Sequence, residues 1–196
     1  MVGRHRTAFT LIELLIVVAI IAILAAIAVP NFLEAQVRAK VSRCKSDMRS
    51  LGVAWEAYRV DWNCYPRDQD NDPADPGQYG YMQVTTPVAY ITSIPTDPFW
   101  SKLRTGDWYA PSYEVASAVM TTESYDCYCI TSIGPDYDDD FSGNDNWPVG
   151  GSVTSYDPTN GTVSNGDILR FGGSYLLGTW TYNGQPWQQW GGSMGN

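Results

Sequence analysis

The sequence predicts an α+β fold: one long N-terminal helix laid against a small antiparallel β-sheet, followed by a loop-rich C-terminal region. Three observations carry that expectation. Residues Phe9 to Val29 form an apolar run interrupted by a single acid, Glu13. From residue 31 to 61 the apolar side chains recur at helical spacing. Beyond residue 65, Gly, Pro, Tyr, Trp, Asn and Thr dominate, and Asn-Gly pairs punctuate short β-favouring stretches.

The first element is long enough to span a bilayer. Leu14 to Val29 carries no polar group, and counting from Phe9 gives roughly 31 Å of helix, about one hydrocarbon core. Arg4 and Arg6 precede it, as in a secretory signal. The run is longer than the apolar region of such a signal, however, and Pro30-Asn31-Phe32 follows it instead of a small-x-small cleavage site. A plain anchor leaves Glu13 unexplained. An acid in lipid costs about 2.5–3.5 kcal/mol on insertion scales, so Glu13 needs a partner.

The helix is expected to continue to about Asp61. Val37, Val41, Cys44, Met48, Leu51, Trp55 and Tyr58 stand at steps of 4, 3, 4, 3, 4 and 3, an unbroken stripe with Arg38, Lys40, Arg43, Lys45, Arg49, Glu56 and Arg59 off it. A coiled coil and packing on the chain's own sheet both fit this pattern, and packing is the commoner outcome before a β-rich region. Pro30 breaks the hydrogen-bond ladder and predicts a kink or local loosening. Tyr65-Pro66 marks the exit, because proline disfavours helix at the residue before it.

Residues 67–80, with Asp68, Asp70, Asp72 and Asp75, read as an exposed acidic connection. Strands are expected at Ser112–Val119, Asp126–Ile133, Ser152–Tyr156, Thr162–Ser164 and Thr179–Tyr182, with no second helix. Asn160-Gly161 predicts a hairpin joining the third and fourth of these, and Asn183-Gly184 follows the last. After the second of these strands, Asp138, Asp140, Ser142 and Gly143 resemble the start of a calcium loop. A full EF-hand is excluded, since Val149 stands where the bidentate Glu belongs. Trp180, Trp187 and Trp190 near the C-terminus read as core or subunit packing, with stacking on sugars the lesser alternative.

Composition removes several functions. Twelve basic against 21 acidic residues, net charge −9, argue against a nucleic-acid-binding surface. The one histidine, His5, lies in the first eight residues; without that piece no His-based triad, base or metal site exists. A carboxylate-pair hydrolase using Asp136 and Asp140 lacks any nucleophile motif. Four cysteines, Cys44, Cys64, Cys127 and Cys129, are present. Cys44 and Cys64, if both on one helix, would be roughly 30 Å apart, and a Cys127–Cys129 bond would strain a strand. Any bridge therefore joins helix to strand, and free buried thiols are the equal alternative.

Ala8-Phe9-Thr10-Leu11-Ile12-Glu13 and the run after it resemble the class III signal of type IV pilins and type II secretion pseudopilins. The resemblance implies cleavage by a prepilin peptidase between Ala8 and Phe9 and methylation of the new Phe9 amine. Ala8 departs from the glycine usual there. Glu13 then becomes the fifth residue of the mature chain, free to pair with the Phe9 amine of a neighbouring subunit. Residues 33–66, ending in Tyr65-Pro66, and Ile94-Pro95-Thr96-Asp97-Pro98-Phe99 are similar to segments of major pseudopilins. Gly134-Pro135-Asp136 resembles the loop where they hold calcium, implying Asp136, with Asp138, Asp140 and Asp145 as further ligand candidates.

The domain plan is then a leader (1–8), a transmembrane and filament-core helix half (9–30), an amphipathic half (31–62) and a β-rich domain (63–196) with its acidic loop at 134–147, together a type IV pilin fold. Phe9, Glu13 and Pro30 are the assembly residues. The implied function is a non-enzymatic filament subunit, inserted in the inner membrane as a precursor and then periplasmic or on the cell surface. Its implied partners are itself, prepilin peptidase, an assembly platform and minor pilins or pseudopilins. A monomeric membrane-anchored binding module is the alternative.

Overall fold

A computed structural model describes residues 9–66, 80–100, 111–117, 126–138, 140–142, 152–159, 164–174, 181–182 and 185–186. Helix α1 runs from Leu11 to Trp62 and is continuous through Pro30. Thr10 caps its start. Asn63 ends it in the left-handed region (φ 55°), donating its backbone N–H to the Arg59 carbonyl at 2.8 Å. Its two halves differ as the pattern requires. Residues 9–33 are exposed throughout, whereas Val41, Cys44, Met48, Leu51, Ala54 and Trp55 are buried, with Val37 and Tyr58 packed at the margins of the core. The stripe packs on the chain's own sheet.

That sheet has three strands in the order β1-β2-β5: β1 (Glu114–Ser117), β2 (Asp126–Ser132) and β5 (Ile168–Ser174), all antiparallel. Alternation sends Val115, Tyr128, Ile130 and Ile168 into the core shared with α1. Tyr128 lies opposite Gly172 on β5. A β-carbon at Gly172 would sit 2.2 Å from Tyr128 Cζ, and one at Gly52 on the helix 2.8 Å from Arg170 Nε. These two glycines let the strand aromatic and the Arg170 side chain fit between sheet and helix.

Four further strands, β3 (Phe141–Ser142), β4 (Ser152–Val153), β6 (Thr181–Tyr182) and β7 (Gln185–Pro186), form a second sheet in the order β3-β4-β6-β7, with β4 and β6 parallel. This departs from a purely antiparallel plan. Of the expected hairpin between 152–156 and 162–164, residues 160–163 lie outside the described residues. Ser155 bridges Asp167 in parallel, and Ser164 turns its hydroxyl to accept from the Asp157 N–H at 2.7 Å. Asn160-Gly161 lies outside the described residues. The Asn183-Gly184 pair separates β6 from β7, which are antiparallel with Tyr182 opposite Gln185.

A short helix, α2 (Gly80–Thr85), corrects the expectation of no second helix. Its sequence favours helix weakly, but Tyr81 and Val84 are buried, Tyr81 meets Trp55 edge-on at 5.6 Å, and tertiary burial overrides propensity.

Candidate assembly surface

The N-terminal half of α1 presents its apolar side chains with nothing from the described residues over them; Phe9 is 73% exposed and Leu11 86%. By length and composition this helix is able to cross a membrane. Glu13 sits in the first turn. Its Oε2 accepts from the Thr10 N–H at 2.9 Å and from the Thr10 hydroxyl at 2.7 Å, while the Glu13 N–H donates to Thr10 Oγ1 at 3.3 Å. This reciprocal pair is a capping box, whose sequence signal is Thr-x-x-Glu. Oε1 of Glu13 has no hydrogen bond among the described residues, so the cap leaves one carboxylate oxygen free. Ala8 lies outside the described residues.

The segment that follows α2 is pinned by a buried acid. Asp97, 5% exposed, accepts from the Phe99 N–H at 2.8 Å, an Asx-type turn over Pro98, and lies 3.8 Å from the Cys44 thiol. Cys44 also lies 3.8 Å from Ser132 Oγ on β2. Lys40 reaches over the Phe99 ring, 5.3 Å from its centroid. Burial raises the Asp97 carboxyl above its ordinary range, against the opposing pull of Ser132, the Phe99 N–H, Cys44 and Lys40. Burial, with Asp97 nearby, pushes the Cys44 thiol up to about 12. One carboxyl thus joins helix, turn and sheet; the Asp-Pro-Phe turn chemistry was the only sequence sign of it.

All four cysteines are free thiols, so no helix-to-strand bridge forms. The reason is strand parity. Tyr128 and Ile130 face α1, so Cys127 and Cys129 point to the other side of the sheet, away from Cys44.

The acidic loop serves as a local tie. Asp136 Oδ2 accepts from the Gly166 N–H at 3.0 Å, holding the turn after β2 to the approach of β5, and its Oδ1 is 3.5 Å from the Asp138 N–H. Asp138 is exposed and Asp140 half-buried. Among the described residues no three Asp, Glu, Cys or His converge as metal ligands. Asp139, Asp145 and the rest of the loop from 143 to 147 lie outside the described residues.

A family model for the prokaryotic N-terminal methylation motif matches residues 3–29. The type II secretion system core protein G of Pseudomonas aeruginosa is 30% identical over 148 residues, covering 74% of this chain and 96% of that protein. The chain belongs to the pilin and pseudopilin family. The type IV major pilin protein PilA of Myxococcus xanthus is 46% identical over 82 residues, which cover 40% of this chain and 36% of that pilin. The type IV wide pilus major component PilA4 of Thermus thermophilus is 46% identical over 66 residues, 34% of this chain and half of that one. No solved structure matches. A long N-terminal helix on a three-stranded antiparallel sheet is the α+β plan of type IV pilins, and a filament subunit is the function these relatives share.

Proposed function

We propose that this pseudopilin-like chain is the repeating subunit of a type II secretion pseudopilus. In this reading it is cut between Ala8 and Phe9, methylated at the new amine, and assembled with Glu13 paired to the Phe9 amine of an adjacent copy. The observation that carries the reading is Glu13 itself, fifth residue from the proposed terminus, with Oε1 uncommitted among the described residues in an exposed helix half. Burying both charges together offsets the desolvation that either would suffer alone, and an unmatched register leaves one uncompensated. Pro30 then divides the packed core half from the half that carries the sheet.

The secretion reading is favoured over a surface pilus by the extent of the likeness. It spans 96% of the protein G relative but only 36% of the Myxococcus pilin. A prepilin peptidase, an assembly platform and minor pseudopilins are the partners this route requires, with the inner membrane first and the periplasm after. Mass spectrometry of the N-terminal peptide, in sheared surface material and in the membrane fraction of native cells, tests it. N-methylated Phe9 confined to the envelope is the expected result. The same peptide in sheared material makes it a surface pilin, and an intact Met1 in both fractions leaves only a membrane-anchored monomer.

A further inference from the structure

Charge is divided along this chain. Residues 9–62, which the filament reading retains, carry six Lys and Arg against five Asp and Glu, while residues 63–196 carry four against sixteen; Arg4 and Arg6 of the leader complete the net charge of −9. On the polar half of α1, Arg38, Ser42, Lys45 and Arg49 stand at steps of 4, 3 and 4 and so share one face. The segment after β4 lies beside that face, and Val41, Tyr156 and Pro158 complete a groove of about 360 Å³ with these four residues. Arg38 is paired with Glu34 on its own helix, and Arg43, off the groove, with Asp47. Among the described residues Lys45 and Arg49 have no ion-pair partner.

Two sources of anion are available to a membrane-inserted chain: lipid headgroups and another copy. Distance decides between them. At 1.5 Å per residue, Arg38 stands roughly 14 Å beyond Val29 along the helix and Arg49 roughly 30 Å, whereas the headgroup layer is only about 5–8 Å deep. The groove therefore lies largely above the membrane surface, within reach of protein carboxylates.

We propose that the groove receives carboxylates of the acidic 63–196 region of a second copy, an inference that rests on the filament reading. The two surfaces are different patches of one chain, so the contact is heterologous. Such a contact repeats without closing and builds an open helix rather than a dimer. Charge complementarity of this kind sets register and partner choice.

The test uses the full-length chain in its native cells, with Ser42 replaced by the photo-crosslinking residue p-benzoylphenylalanine. Irradiation is expected to give a dimer adduct whose second peptide maps to residues 63–196. Lys45→Glu with Arg49→Glu should reduce that adduct at least about tenfold, since like charges at an interface repel, while Lys45→Arg with Arg49→Lys keeps it. Filaments and methylated Phe9 are scored in the same cells. Filaments present with the adduct absent, on lipid, on an unrelated protein or insensitive to charge reversal overturn the groove alone. Absence of any filament in the wild type overturns the filament reading and this inference with it.

Discussion

Asp97 is an acid enclosed by the helix, the Asp-Pro-Phe turn and β2, and its titration should be visible in the stability of the fold. Its carboxyl is raised from the usual 3.8 by burial. A raised acid binds its proton more tightly when folded, so its contribution is present below the unfolded pKa and is lost as pH rises through the folded one. Asp97→Asn keeps an acceptor for the Phe99 N–H and removes the titration. The stability of wild type relative to Asp97→Asn should therefore fall as pH is raised from about 3.8. Chemical denaturation of both full-length proteins in detergent across pH 3–7 measures it, and a flat difference would mean that Asp97 is not held protonated. The adjacent thiol gives a second test. Cys44, Cys127 and Cys129 are buried and Cys64 is half-buried. Iodoacetamide should therefore add once per native chain, at Cys64, and four times after denaturation without reductant. Fewer than four adducts in the denatured chain would reveal a bridge where the structure has free thiols.

At the scale of elements, what was legible in the sequence was what obeys a period. The 4-3 stripe from Val37 to Tyr58 marked the buried face of α1, and the Tyr, Cys, Ile and Thr of 126–133 marked the central strand. Strand β5 has no such period, because Ile168–Ser174 contains Arg170 and two glycines, which read as a loop. Those residues are there for their neighbours. Gly172 lies beneath the Tyr128 ring, and Arg170 reaches α1 over Gly52, so tertiary contact rather than β propensity selects them. Helix α2 and the β4–β6 parallel pair were hidden for the same reason: long-range packing, not local pattern, makes them. Gly172→Ala should thus overpack the sheet–helix contact at a cost of about 2 kcal/mol, lowering the melting temperature by about 4–8 °C. Circular dichroism of the two proteins reads the shift, and an unchanged melt would mean that Tyr128 moves aside freely.

Taken whole, the described residues form a folded sheet-and-helix body continued by a helix half over which none of them packs. The body satisfies its own stripe, while residues 9–33 are exposed along their entire length. Glu13 is where the two situations meet, and a single substitution separates its local role from its collective one. Glu13→Gln retains an acceptor at the third helical position, and glutamine serves a capping box as glutamate does. Removing the charge also lowers the cost of lipid insertion. The variant chain should therefore insert, be cut and methylated at Phe9, and accumulate in the membrane at wild-type level or above. Polymer should fall at least about tenfold, because no carboxylate remains to compensate a buried amine. Thr10→Ala does the reverse: it costs about 1 kcal/mol of helix capping and leaves the charge, so polymer should persist. Quantitative blotting of membrane and filament fractions for the two variants decides the matter. If both polymerise equally well, Glu13 is a helix cap and nothing more, and register must come from elsewhere on the helix.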